Sequence, residues 1–551
     1  MSNQISVSPI ELEVVSNALL SVAEEMGAVL IRTSQSTNIK ERRDCSCAIF
    51  DSKGEVIAQA EHVPMHLGSM LGIVTSILKV FPVDAIQPDD MFISNDPYSG
   101  GGTHLPDITV AAPVFVGNKL IAFVANIAHH SDVGGRVPGS SSGDCTSIYE
   151  EGLRIPMVKV VERGTIKKDV VSFILLNCRT PEERLADLDA QFGSNRIGIL
   201  RMEELFEKFG AEFVIAACQE LLAYAERRIR HAIQSVPDGC YTFEDYMDDD
   251  GKGLMKIPVR VSIEVKGDSI QFDFKGSSAQ VRGGINLVFT ALQATVYYAL
   301  KAILDPTIPP NGGYYRVIRI VAPEGSIVNA KSPAAVAGRT DVAQRVADVI
   351  FGALAQAIPE RVVAGCHSTV TVPIFSGVDP KTGNQYVYLE SIGGGMGARQ
   401  DRDGLDGVQV HVTNTSNLPV EAMENEYPLI VDLLELIPDS GGTGKYRGGL
   451  GIRKDIRVVE HLCYFSSHGD RQHIPPWGLF GGRPGRCGRM VIRKKDGKES
   501  VLPSGKNSEI LLQDGDILRV ETPGGGGWGN SGERPIDLLQ KDLMDRKVTD
   551  S

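Results

Sequence analysis

Side chains of metal-ligand type gather between residues 44 and 132 of this 551-residue chain: Asp44, His104, Asp107, His129, His130 and Asp132. His104-Leu105-Pro106-Asp107 offers an imidazole and a carboxylate three residues apart. Pro106 stiffens the link, and Gly100-Gly101-Gly102 leaves the backbone free to bend the pair toward one point. His129-His130-Ser131-Asp132 closes the apolar run Ile121 to Ala128, so a second ligand can project from a rigid strand edge. Mixed nitrogen and carboxylate ligation suits a divalent Zn, Mn or Fe ion. With vacant positions such an ion lowers the pKa of bound water toward ~7 and supplies a hydroxide for attack on a carbonyl carbon. A single buried His or Asp more often caps a turn or satisfies backbone; the clustering is what favours a metal. His62 and His66 lie four apart, but Pro64 between them argues against an ordinary helix, and they read as core histidines that could line a pocket.

These residues need elements to hold them. Ser8-Pro9-Ile10-Glu11 reads as a capping box, and Leu12, Val15, Leu19, Val22, Met26 and Val29 follow as one apolar stripe, which predicts a first helix. Ala48-Ile49-Phe50 and Val56-Ile57-Ala58 flank a turn and predict a hairpin, residues 91–96, 108–116 and 119–128 predict further strands, and 99–107 is a glycine-rich loop. Leu200 to Ser235 is helical in composition. Alternation in Val259 to Val265 and Ile270 to Phe274 gives a second hairpin, Val342 to Ala357 an amphipathic helix, and Asp496-Gly497 a third hairpin turn. The expectation is a mixed α/β (α+β), multi-domain protein. An N-terminal α/β domain, 1–236, carries the metal site; a mixed β-hairpin and helix domain spans 237–360; a β-rich, Gly-rich domain spans 361–551.

Phosphate loops fail on inspection. Gly444-Lys445 lacks the upstream glycine, where Asp439 stands, and has Tyr446 in place of Ser or Thr. Gly524, Gly526 and Gly529 fit GxGxxG but leave no room for a following βαβ unit, and Gly393 to Gly397 leads into a polar loop, not a helix. A net charge of −13 with no long basic run argues against nucleic acid or an anionic membrane surface as partner. No wholly apolar run reaches the roughly 18 residues of a membrane span, and Met1 to Pro9 lacks the pattern of a signal peptide, so a cytoplasmic location is expected. Nine cysteines without a CxxC pair indicate reduced thiols, and Cys45 and Cys47 fit alternation on a strand.

Asn95-Asp96-Pro97-Tyr98, Gly101 to Asp107 and Ala128 to Gly135 resemble segments of hydantoinase B/oxoprolinase proteins. Gly283 to Asn286, Asn311-Gly312-Gly313, Glu421 with Glu424 to Pro428, Asp439 to Gly442, Arg447 to Gly451 and Thr522 to Gly527 extend the likeness over roughly residues 8 to 530. That family includes N-methylhydantoinase, 5-oxoprolinase and caprolactamase components and the related acetone and acetophenone carboxylase subunits. The resemblance implies a hydantoinase A-type partner that binds ATP, in an A2B2 heterotetramer, and a cyclic amide substrate phosphorylated on the partner and opened by metal-bound hydroxide here. It also implies Asp44, His104, Asp107 and His129 as ligands, with His130 the rival for the last place. Asp132 would orient a histidine or act as base, and His130 and Asp132 are the catalytic candidates. Ser131, Asn126, Asn286 and Arg339-Thr340-Asp341 are weaker candidates for the substrate pocket, and Arg447 with its glycines reads as close backbone packing. A subunit of an ATP-dependent ketone carboxylase and a scaffold for the ATPase partner are the competing readings.

Overall fold

The computed structural model describes residues 6–60 and 63–549. The capping box forms as expected: Ser8 accepts from the Glu11 amide, Glu11 answers the Ser8 amide, and helix α1 runs Pro9–Thr33. Val15, Leu19, Val22, Met26 and Leu30 are its buried stripe. Leu30 takes the place expected of Val29, because a 3.6-residue turn drifts against alternate steps of three and four. By length and composition α1 could cross a membrane, yet this stripe packs in the protein core.

The N-terminal sheet is antiparallel throughout. Its strands are β1 (Cys45–Asp51), β2 (Val56–Gln59), β3 (Met91–Ser94), β4 (Asp107–Val116), β5 (Lys119–His129), β6 (Val158–Glu162) and β7 (Thr165–Ile166), in the order β2-β1-β5-β4-β3-β6-β7. Cys45 and Cys47 are buried on β1, and all nine thiols are free. Between β2 and β3 lies helix α2 (Pro64–Ser69), where Pro64 occupies the first turn. Contrary to the expectation from sequence, Pro64 opens a helix and does not prevent one: at that position its missing N–H would have had no partner anyway. His62 lies outside the described residues.

Helices α3 (Pro181–Phe209) and α4 (Ala211–Gln234) cover this sheet, and α1 packs beside them. Composition signals a helix only from Leu200 onward because the first half of α3 buries polar residues: Arg184, Asp187, Gln191, Ser194 and Asn195 all face inward. A helix that buries polar side chains shows no apolar period to read.

The middle sheet comprises β8 (Gly239–Asp249), β9 (Met255–Lys266), β10 (Ser269–Asp273) and β11 (Ile318–Val321), in the order β11-β10-β9-β8. Helix α5 (Phe289–Leu304) connects β10 to β11, and α6 (Arg339–Leu354) follows β11. The sequence predicts an amphipathic α6, but every residue in it is buried. Much of its polar face is paired inside the protein: Arg345 donates to Asp245 and Asp470, and Asp348 accepts from Arg471.

Beyond residue 371 the chain forms two further sheets, one of four strands and one of five. The Asp496-Gly497 turn joins Arg489–Arg493 to Glu499–Val501 as expected. The Gly524 to Gly529 motif is a knot of backbones, where a Cβ on Gly525 would lie 2.1 Å from the Met396 carbonyl oxygen. Gly525→Ala should therefore cost about 3 kcal/mol or more, read as a lowered midpoint in denaturant; an unchanged midpoint would mean the segment yields freely. Arg447 belongs to the same region and is held by Asp403, Asp406 and Asp542.

Candidate metal centre

Three adjacent strands bring the chemistry together. Asp44 immediately precedes β1, Asp107 begins β4 and His129 ends β5, and β5 lies between the other two. All three therefore sit at one end of the sheet, however far apart they are in the chain. Asp107 and His129 are paired directly across the ladder and so share a face, and the His129 amide donates to the Asp44 carbonyl at 3.0 Å. His104 reaches the same point from the glycine-rich loop, its Nε2 3.1 Å from Asp107 Oδ1. His104, Asp107 and His129 each offer a ligand atom within 4.8 Å of the others.

His66 is the member that sequence reasoning set aside. Its Nε2 stands 3.6 Å from Asp44 Oδ1 and 3.4 Å from Asp107 Oδ1. Asp44, His66, His104 and His129 line a cavity of about 50 Å³ with Arg339 and Thr340 of α6, His468 and a few apolar side chains.

The donor set fits a divalent cation. Both ring nitrogens of His104 and Oδ1 of Asp107 are buried with no hydrogen-bond partner. The other oxygen of Asp107 is taken: Oδ2 accepts from Thr103 Oγ1 at 3.0 Å and from Arg339 Nη2 at 2.6 Å. One oxygen is thus anchored and the other is left for an ion. Burial, reinforced by the Arg339 charge, pushes His104 down to about 4, and burial holds His129 well below the usual histidine range. Burial would raise Asp107, but the neighbouring His104 and Arg339 outweigh it and keep the carboxyl well below its ordinary range. Neutral imidazoles beside an ionised carboxylate are the protonation states that ligation requires. Burial raises Asp44, with His66 and Arg42 opposing. Asn38 fixes the His129 ring, contacting Nδ1 at 2.8 Å and the His129 carbonyl at 2.7 Å, and is itself held by Arg42.

His130 and Asp132, the catalytic candidates, lie outside this cavity. Successive residues of an extended chain point to opposite faces, so His130 turns toward α3, where its Nε2 meets Gln191 Oε1 at 3.0 Å. Asp132 accepts from the amides of Gly134, Gly139 and Arg179 and from Arg179 Nη1 at 2.9 Å, contacts that pin its loop. Asn126 is likewise structural, bonded to Gln191 and Asn195, and Ser131 does not line the cavity. Asn286 clasps its own loop through Val281 and Gly283 and ties it to the Ala335 carbonyl.

His468 was not singled out in the sequence. It lines the cavity with Nδ1 3.2 Å from Asp341 Oδ2, while Asp341 Oδ1 accepts from Thr369 Oγ1 and the Val370 amide. Asp341 thus orients the ring, and the pair brings an acid–base group to the cavity from a distant strand. A second buried group among the described residues, Asp348, Cys366 and His411, is closed by its own partners, His411 and Arg471 on the two oxygens of Asp348.

Glu151 is a further buried carboxyl, its Oε1 accepting from the Val336 and Ala337 amides and its Oε2 unpartnered. Burial pushes it up to about 8, against those two amides. The folded protein then holds a proton that the unfolded chain has released, so stability falls as pH rises from about 4.5 to about 8. Glu151→Gln keeps the Oε1 acceptor and has no charge to bury. Its melting temperature should match the parent near pH 5 and exceed it at pH 9; parallel curves would show that Glu151 is not held protonated.

Comparisons with known proteins place the chain in a family. The family described as hydantoinase B/oxoprolinase matches residues 8–531. A putative D-/L-hydantoinase subunit of Pseudomonas sp. is 35% identical over 560 residues, covering 98% of this chain and 93% of that protein. The 5-oxoprolinase of Dictyostelium discoideum is 35% identical over 531 residues, covering 95% of this chain but 40% of that longer protein. The crystal structure of the ATP-dependent caprolactamase of Pseudomonas jessenii superposes with a TM-score of 0.93 at 30% identity, over 99% of this chain and 95% of that one.

Proposed function

Because the chain belongs to the hydantoinase B/oxoprolinase family, we propose that it is the metal-bearing subunit of a two-component, ATP-dependent enzyme that opens cyclic amides. The observation that carries this reading is the convergence of His104, Asp107 and His129 on one buried point, in a chain similar over its length to an ATP-dependent caprolactamase. The partner is a hydantoinase A-type subunit that binds ATP, in an A2B2 assembly. Two facts support a partner: the similar hydantoinase is named as a subunit, and the similar 5-oxoprolinase has more than half its length outside the matched region. The glycine motifs of this chain are packed backbone, consistent with ATP binding elsewhere. The complex works in the cytoplasm, where free thiols such as these nine persist.

An unstrained amide resists water because resonance feeds its carbonyl; phosphorylation of the oxygen on the partner removes that resonance. A Zn, Mn or Fe ion held by His104, Asp107 and His129, with Asp44 and His66 beside them, would acidify water for attack on the phosphorylated carbon; expulsion of the ring nitrogen then leaves an acyl phosphate, which a second water hydrolyses to the acid and free phosphate. Arg339 neutralises Asp107 and fixes its orientation. Val63, Met65, Val370 and Val372 line the cavity and exclude bulk water, which strengthens every charge interaction within it. Ring opening needs a proton for the departing nitrogen, and His468, aligned by Asp341, is placed to deliver it.

His468→Gln should lower kcat about 100-fold with metal content and KM nearly unchanged, and Asp341→Asn should lower it less. Loss of metal from His468→Gln would make it a ligand instead. The reading as a whole is tested by lactam-dependent phosphate release from the complex with its partner. Bicarbonate fixation on a ketone in place of that activity would make the chain a carboxylase subunit, and turnover unchanged by His104→Ala would make it a scaffold.

A further inference from the structure

The metal cavity is too small for the ring it is proposed to act on. Its volume of about 50 Å³ suffices for an ion and a few waters, whereas sites for organic ligands run about 300–1,000 Å³. A chamber of that size lies against it. Tyr297, Tyr298, Tyr314 and Tyr315 with Pro306 and Pro310 line a space of about 360 Å³. The two spaces share a wall: Pro64 and Asn414 face the chamber, while Val63, Met65, Thr413 and Thr415 face the metal cavity. The Met65 amide ties the two wall segments together by donating to the Val412 carbonyl at 3.1 Å.

The chamber is mostly apolar; Lys301, whose Nζ donates to the Pro306 and Ile308 carbonyls, and Asn414 also line it, and Gln59 is its buried polar side chain. Gln59, at the end of β2, is 1% exposed and lines it. Its Nε2 donates to the Tyr315 hydroxyl at 3.1 Å, which orients the amide, and its Oε1 is buried with no hydrogen-bond partner. A buried acceptor left unpaired costs about 1–3 kcal/mol, so the position asks for a ligand that donates. The aromatic wall is rigid, since Tyr297 stacks on Tyr315 with centroids 4.2 Å apart and meets Tyr314 edge-on.

We propose that this chamber is the receiving site for the substrate ring and that it selects secondary cyclic amides, the ring N–H, which the lactam keeps as N–H+ when its oxygen is phosphorylated without loss of that proton, donating to Gln59 Oε1 and the methylene face lying on the tyrosines. This rests on the cyclic amide reading above and adds where the ring is held and which amides are accepted. An N-alkylated ring fills the same space but leaves Oε1 unpaired and crowds it.

The test is ligand-observed NMR on the full-length chain with ε-caprolactam and N-methylcaprolactam. The parent should bind caprolactam about tenfold more tightly than its N-methyl form. Gln59→Met, close in shape and without the acceptor, should bring the two affinities together, with its melting temperature confirming the fold. Ala302→Trp, at the exposed rim of the chamber, should weaken both ligands. Equal binding of the two rings by the parent, a preference that survives Gln59→Met, or no binding at all would overturn the proposal. Its failure is separable from that of the function. Lactam-dependent phosphate release by the complex with a silent chamber sinks the chamber alone, and the expected binding pattern without such release sinks the function alone.

Discussion

His104→Ala should reduce lactam-dependent turnover of the assembled complex by about 1,000-fold or more and leave the chain with no stoichiometric metal. The size of the effect follows from where the imidazole stands. It is buried, approaches Asp107 Oδ1 at 3.1 Å and has neither ring nitrogen hydrogen-bonded, so its removal takes one of the three converging ligands. Stability gives a second reading. A ligand at 100 times its Kd stabilises a folded protein by about 2.7 kcal/mol, so added metal should raise the melting temperature of the chelator-treated parent and leave that of His104→Ala unchanged. Full turnover by a metal-free His104→Ala complex would remove the metal from the chemistry altogether.

Arg339→Met should produce the second largest loss. The guanidinium is buried and spans two partners, Asp107 Oδ2 at 2.6 Å through Nη2 and Thr103 Oγ1 at 2.8 Å through Nε. Deleting one partner of a buried ion pair costs about 3–5 kcal/mol, because the other charge stays buried without compensation. Asp107 would also lose the group that fixes its orientation, so metal affinity should fall about 10–100-fold and turnover with it. Arg339→Lys should recover little, since an ammonium cannot present two donors in a fixed fork. Metal affinity and melting temperature equal to the parent's in Arg339→Met would show that Thr103 alone holds Asp107.

The reach of the sequence can be judged from particular residues. Elements with a visible period were readable: the α1 capping box, the β1–β2 hairpin, the alternating strands β9 and β10, and the turn at Asp496-Gly497 all stand where the pattern put them. Where polar residues are buried, the period vanishes, as in the first half of α3 and all of α6. The same physics divides the site. Asp107 and His129 lie at the ends of neighbouring strands, and clustering of residue types was enough to pick them out. His129 and His130 differ only in the face they take, which depends on strand register, and the sequence left that choice open. His66 is easily discounted, because Pro64 reads as a helix breaker until its place in the first turn is known. His468 and Gln59 come from distant parts of the chain, and nothing in the residues around them signals their place. What they do depends on which neighbours satisfy them and which atoms remain free.

Anomalous diffraction from crystals of the chain, recorded at the absorption edge of the bound metal, tests the centre most directly. One strong peak is expected at about 2.0–2.2 Å from side-chain atoms of His104, Asp107 and His129, with His130 still on Gln191. A catalytically competent crystal with no peak there, or with the ion bound by His130 in place of His129, would contradict that centre.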